Sequence, residues 1–179
     1  MPPSVQPIDV PVLGLHHFAW RCQDAEETRH FYEDLLGLPL VHLIRAETVP
    51  STGEHCPYVH LFFQMDDGSC IAFFDLGDNT RAEPSPNTPA WVNHLALRVR
   101  SQADLLLAKK RLEDAGVQVL GVTDHHFVES IYFFDPNGIR LELTVQTASD
   151  EYMRAARAKA HESCALWVEE KRARNGFDS

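Results

Sequence analysis

Leu15–Val41, LHHFAWRCQDAEETRHFYEDLLGLPLV, and Val92–Leu120, VNHLALRVRSQADLLLAKKRLEDAGVQVL, are two versions of one pattern. Each opens with a histidine inside an apolar strand, His17 and His94. Each passes through a polar start into an amphipathic helix and reaches a glycine, Gly37 or Gly116, before a short strand. A hairpin follows in both: YVHLFFQMDDGSCIAFF (Tyr58–Phe74) and ESIYFFDPNGIRLELTV (Glu129–Val145). Strand, helix and about three strands, repeated, predict an α+β fold with a helix on one face of each sheet. Two such modules with their sheets side by side would curve around a shared cavity.

The rest of the chain falls around this repeat. LGDNTRAEPSPNTPA (Leu76–Ala90), rich in Pro, Asn and Thr, reads as the connection. The expected organisation is an N-terminal extension over 1–11, a first module over 12–78, a linker over 79–90, a second module over 91–146, and a C-terminal helix and tail over 147–179. In that tail Tyr152, Ala156, Lys159 and Ala160 have helical spacing, and Ser149, Asp150 and Glu151 make an N-terminal start. This helix is expected to pack on the outside or on a partner subunit.

The chain has 179 residues, the length of one domain or of two small modules sharing a core. A net charge of −10 argues against nucleic acid, whose phosphates require a basic patch, but a local arginine cluster still suits an anionic small molecule. No apolar run approaches the length of a membrane span, and MPPSVQPIDVPV lacks the basic-then-apolar order of a secretory signal. The four cysteines, 22, 56, 70 and 164, form no CxxC pair and read as reduced thiols of a cytoplasmic protein.

Strand periodicity then sorts the side chains. Phe18, Trp20 and Cys22 form one set and His17, Ala19 and Arg21 the other; in the second copy Leu95, Leu97 and Val99 oppose His94, Ala96 and Arg98. The bulky sets are expected under the helices. In the closing strand Leu141 and Leu143 join the bulky set, so Glu142 shares the kind of surface that carries the two histidines. DPNG suits a three-residue loop with glycine left-handed, which pairs Asp135 with Ile139 and sets Tyr132 opposite Glu142. A two-residue loop would set Tyr132 opposite Leu141 instead. Arg21, Arg98 and Arg140 are either cavity-facing anion binders or exposed strand-end residues. The acidic run in DAEETRHFYED is a helix start favoured by the dipole rather than a metal site.

These residues resemble the vicinal oxygen chelate superfamily of glyoxalases, bleomycin- and fosfomycin-resistance proteins and type I extradiol dioxygenases. HFAWRCQDAEETRHFYEDLLGL is similar to its opening motif, NHLALRV to the second opening, and SIYFFDPNGIRLEL to the closing motif; together they span roughly 12–146. The resemblance implies two βαβββ modules forming a curved mixed sheet around a divalent metal. It implies His17, His94 and Glu142 as ligands, with Ala72 at the fourth position. Two histidines and a carboxylate with open positions form the set used by non-haem Fe(II) oxygenases, so Fe(II) is the first expectation, with Mn, Zn or Ni as alternatives.

A narrower resemblance is to the extradiol ring-cleaving dioxygenases, whose signature is met by His125, Ile131, Tyr132, Asp135, Pro136, Gly138 and Glu142. It implies that His125 and Tyr132 donate hydrogen bonds to a bound catecholate. The larger members carry a further acid–base histidine near the position of DGSCIAFF, where this chain has Ser69 and Cys70; His60, or His55 as the counterpart of His125, is the substitute. The expected activity is ring cleavage of a catechol-like aromatic. The alternatives are a glyoxalase-like Lewis-acid lyase, isomerase or transferase, or a metal-free drug-binding protein. The expected partners are a small-molecule substrate and a second copy of the chain, with no nucleic acid or membrane.

Overall fold

A computed structural model describes residues 10–175. The expected N-terminal extension, but for Val10 and Pro11, and the last four residues of the tail lie outside the described residues. The chain divides into two compact units. One comprises the chain through Val92 together with Phe134–Ile139; the other comprises Asn93–Phe133 and Arg140 onward.

In the first unit, β1 (His17–Cys22) leads into α1 (Ala25–Arg29), which continues as a π-helical stretch (His30–Leu35). Asp24 caps α1, its side chain accepting the Glu27 N–H at 2.7 Å. The amphipathic helix expected here is thus α-helical only in its first half. In the widened second half Leu36 N–H donates to the Phe31 carbonyl, and the adjacent Phe31 and Tyr32 are both buried. Then come β2 (Leu40–Thr48), β3 (His55–Gln64) and β4 (Cys70–Asp75), in the order β1-β4-β3-β2, with β1 parallel to β4 and the other pairs antiparallel. Tyr32, Phe63, Ile71 and Phe73 are wholly buried and form the core. Of the bulky β1 set only Cys22 is buried; Trp20 stays 39% exposed and stacks on Phe18. β1 is an edge strand beside a short helix, so its apolar face is only partly covered.

The DPNG turn belongs to this first unit and does more than reverse the chain. Asp135 N–H donates to the Ile139 carbonyl at 3.0 Å, and Gly138 is left-handed at φ 84°, which gives the expected three-residue loop. Asp135 and Asn137 are buried and bonded into the unit. The Tyr32 hydroxyl donates to Asp135 at 2.9 Å, Asn137 donates to Thr28 at 3.1 Å, and Asn137 accepts the Gln23 N–H at 3.0 Å. Burial raises Asp135 above the usual carboxylate range, and burial together with Asp135 pushes Tyr32 far above that of a phenol.

The second unit repeats the order: β5 (Leu95–Arg98), α2 (Gln102–Asp114), β6 (Leu120–Asp124), β7 (Val128–Phe134) and β8 (Arg140–Gln146). Its sheet runs β5-β8-β7-β6, with β5 parallel to β8. Ser101 caps α2, accepting the Asp104 N–H at 3.1 Å and donating to its carboxylate at 2.7 Å. α2 lies against β8, and Leu105 and Leu112 are buried with Ile131, Phe133 and Leu141. The C-terminal helix α3 (Asp150–Asn175) forms where the spacing predicts it. Its described side chains are exposed along its length apart from the half-buried Met153, so it rests little on its own chain. The fold is the expected α+β arrangement of two tandem βαβββ modules, built as two four-stranded mixed sheets. No helix among the described residues is long and apolar enough to cross a membrane.

Candidate functional site

The second unit gathers polar side chains on one sheet face. In the β5–β8 register Ala96 faces Glu142 and Arg98 faces Thr144. Glu142 is only 6% exposed although its neighbours Leu141 and Leu143 are also buried, so β8 is covered on both faces. Its carboxylate is held from two sides. His94 Nε2 stands 3.0 Å from Oε2, and the Ser130 hydroxyl donates to Oε1 in a short bond. Thr144 Oγ1 lies 2.9 Å from Ser130 Oγ, which ties β7 to β8 through hydroxyls.

Tyr132 borders the carboxylate as the three-residue loop predicts. Burial and then Glu142 raise its hydroxyl above the phenol range, so at neutral pH it keeps its proton. Its oxygen is 2.7 Å from His125 Nε2, and the Arg140 guanidinium sits 4.2 Å over its ring. His125 is placed by the turn between β6 and β7, where its N–H donates to the Val128 carbonyl at 2.9 Å. His126 is left-handed, at φ 69°, and its N–H donates to the Asp124 carboxylate at 2.6 Å. Of the residues singled out in the sequence, the structure groups His94, Glu142, Tyr132 and His125, and it adds Ser130, which the sequence reading did not single out. The signal was its place two residues before Tyr132, on the same pleat face as Glu142.

The first unit carries the other candidates. His17 and Cys70 are partners in the β1–β4 register, as are Ala19 and Ala72; His60 pairs with Phe74 and Phe62 with Ala72. Ala72 therefore holds in this sheet the place of Glu142 in the other, as the repeat predicts, and His60 holds that of Ser130. His17 is exposed, with Nδ1 2.7 Å from His16 Nδ1 and its ring 5.9 Å from that of His60. His60 is buried between Phe62 and Phe74, at ring distances of 4.2 and 3.6 Å. Desolvation, reinforced by His17 and His42, pushes it down to about 4, so it is neutral at pH 7. Its buried Nε2 has no hydrogen-bond partner among the described residues. His55 is exposed and paired with Thr48 at the loop end of the β2–β3 hairpin. Arg21 is engaged by Asp78 and by the Thr80 carbonyl at 2.8 Å.

Among the described residues no three His, Cys, Asp or Glu side chains are grouped to hold a metal ion. The structure brings His94 and Glu142 together and places His17 in the first unit. The donor chemistry of the second unit suits a divalent cation. Glu142 is a buried carboxylate whose ion-pair partner among the described residues is an imidazole rather than a fixed cation, and burying such a charge is costly without compensation.

Comparison with known proteins places this geometry. Residues 14–143 match the model of the glyoxalase/bleomycin resistance protein/dioxygenase superfamily. The chain is 28% identical over 152 residues to the metallothiol transferase FosB of Bacillus licheniformis, covering 84% of this chain and 86% of that protein. It is 27% identical over 145 residues to the putative ring-cleaving dioxygenase MhqA of Bacillus subtilis, covering 79% of this chain but 43% of that protein, so it spans under half of MhqA. Among solved structures it resembles the fosfomycin resistance protein FosX of Listeria monocytogenes, solved with Mn(II) and sulfate. There the TM-score is 0.57 and the identity 18%, over 79% of this chain and 99% of that one. With a family match over most of its length and both modules folded as that match requires, the chain belongs to the glyoxalase/bleomycin resistance protein/dioxygenase superfamily.

Proposed function

We propose that the protein is a metal-dependent enzyme of this superfamily, a non-haem Fe(II) extradiol-type dioxygenase cleaving a catechol-like aromatic. The observation that carries the reading is the second-unit face, where the His94–Glu142 pair adjoins a protonated tyrosine hydrogen-bonded to a histidine. His94, Glu142 and His17 would hold the ion. When bound, the metal would supply Lewis acidity toward the oxygens of a vicinal diol and a redox centre for O2.

The chain's own residues have separable tasks. Ser130 fixes one carboxylate oxygen and leaves the other toward His94. Tyr132 donates its hydrogen bond to a diol oxygen and His125 orients the phenol. His60, neutral and with a buried Nε2 that has no hydrogen-bond partner among the described residues, is the candidate acceptor for a proton from the diol. Burial of the carboxylate excludes water and strengthens each of these contacts.

The likeness to FosB over most of its length favours one second reading, in which the same residues serve Lewis-acid transfer to a small electrophile without O2. The test is anaerobic purification followed by metal analysis and oxygen uptake on adding catechol. Iron near one per chain with catechol-dependent uptake supports ring cleavage. Another divalent metal with no uptake supports the transferase reading, and protein that takes up no metal on reconstitution defeats both.

A further inference from the structure

We propose that Arg98 anchors an anionic group on the substrate, so that the site selects a vicinal diol carrying a carboxylate over uncharged catechol. This rests on the reading of the second-unit face as the diol site.

Three arginines stand on strands of the two sheets, and the structure separates them. Arg21 and Arg98 are repeat counterparts, each four residues after the histidine that opens its module. Arg21 is committed to Asp78 and the Thr80 carbonyl. Arg140 is laid over the Tyr132 ring. Arg98 is exposed and has no hydrogen bond or ion pair with any described residue.

Its direction follows from register. Ala96 pairs with Glu142 and Arg98 with Thr144 across parallel strands, and the Thr144 hydroxyl lies on the Glu142 face, bonded to Ser130. Arg98 therefore rises from the same face, one pleat beyond the carboxylate, about 7 Å along the strand. Beside Glu142 on β5 stands Ala96, whose small methyl leaves this part of the face uncrowded. An aromatic ring whose diol lies at His94 and Glu142 would extend along this face, with its far substituent meeting the guanidinium. The planar fork of arginine matches a carboxylate with two parallel bonds. In a chain of net charge −10 the general field repels anions, so a carboxylated ligand needs a local cation of this kind.

The test is calorimetric titration of metal-loaded full-length protein with catechol, 3,4-dihydroxybenzoate and 4-hydroxybenzoate, in the wild type, Arg98→Gln and Arg98→Lys. A charge-assisted pair predicts that 3,4-dihydroxybenzoate binds the wild type roughly tenfold or more tighter than catechol. Arg98→Gln should erase that gap while leaving catechol affinity unchanged, and Arg98→Lys should restore it only in part. Equal wild-type affinities for the two diols, or equal weakening of both by Arg98→Gln, overturns the proposal. If neither diol binds, the diol-site reading fails separately and 4-hydroxybenzoate decides. Binding abolished by Arg98→Gln then upholds the anion anchor, whereas absent or unaltered binding overturns it.

Discussion

Replacing Ser130 by alanine removes one hydroxyl from a wholly buried position on β7. That hydroxyl donates to Glu142 Oε1 and stands 2.9 Å from Thr144 Oγ1. The side-chain volume lost is small, so the main effect is electrostatic. A hydrogen bond to a charged acceptor contributes about 1.5–3 kcal/mol, and each 1.4 kcal/mol is a factor of ten. If the bond serves to hold the carboxylate in its metal-binding rotamer, divalent metal affinity should fall roughly 10- to 100-fold, the range found for groups that orient a ligand. Stability of the metal-free protein should also drop, by about 1–3 kcal/mol, because a buried carboxylate oxygen loses its donor. Competition against a chromophoric chelator measures the first quantity and urea unfolding the second. Metal affinity within twofold of wild type, in a protein where Glu142→Gln abolishes binding, would show that Ser130 does not position the carboxylate.

Three other predictions follow from named contacts. Tyr132→Phe removes the hydroxyl shared with His125 and should lower kcat by about 10²–10⁴ in steady-state turnover with metal content unchanged; loss of metal instead would assign Tyr132 to ligand positioning. Asp135 has its pKa raised in the fold, so between the unfolded value near 3.9 and the folded value the native state binds more protons, and stability falls as pH rises through that window. Asp135→Asn should flatten that slope in urea midpoints, and an unchanged slope would refute the assignment. Burial pushes Cys22 up to about 11 whereas Cys164 is exposed, so a thiol reagent at pH 8 should modify Cys164 first and reach Cys22 only on unfolding, as read by peptide mass mapping. Early modification of Cys22 would mean that the strand end opens readily.

The DPNG turn shows where reading along the chain stops. Its local chemistry is visible in four letters, and the three-residue loop they predict is the one that forms. The bonds from Tyr32, Thr28 and Gln23 to Asp135 and Asn137 span 103 to 114 residues of sequence, and no local signal encodes a partner at that distance. The π-helical stretch is similar: the apolar spacing predicts a helix, but the widening that buries Phe31 and Tyr32 together depends on the packing around them.

The sequence by itself determined the repeat, the α+β class, the histidine that opens each module (His17 within β1, His94 just before β5 rather than inside the strand as expected), and the face shared by Tyr132 and Glu142. These are matters of period and local turn geometry, which depend only on neighbouring residues. Tertiary structure decided that Ser130 and His94 grip Glu142 from two sides and that His60 is buried and neutral. It also decided that, of three similar arginines, Arg98 alone has no hydrogen bond or ion pair among the described residues. Each of these is a cross-strand or long-range pairing, in which register and burial set the chemistry of a residue whose identity alone is silent.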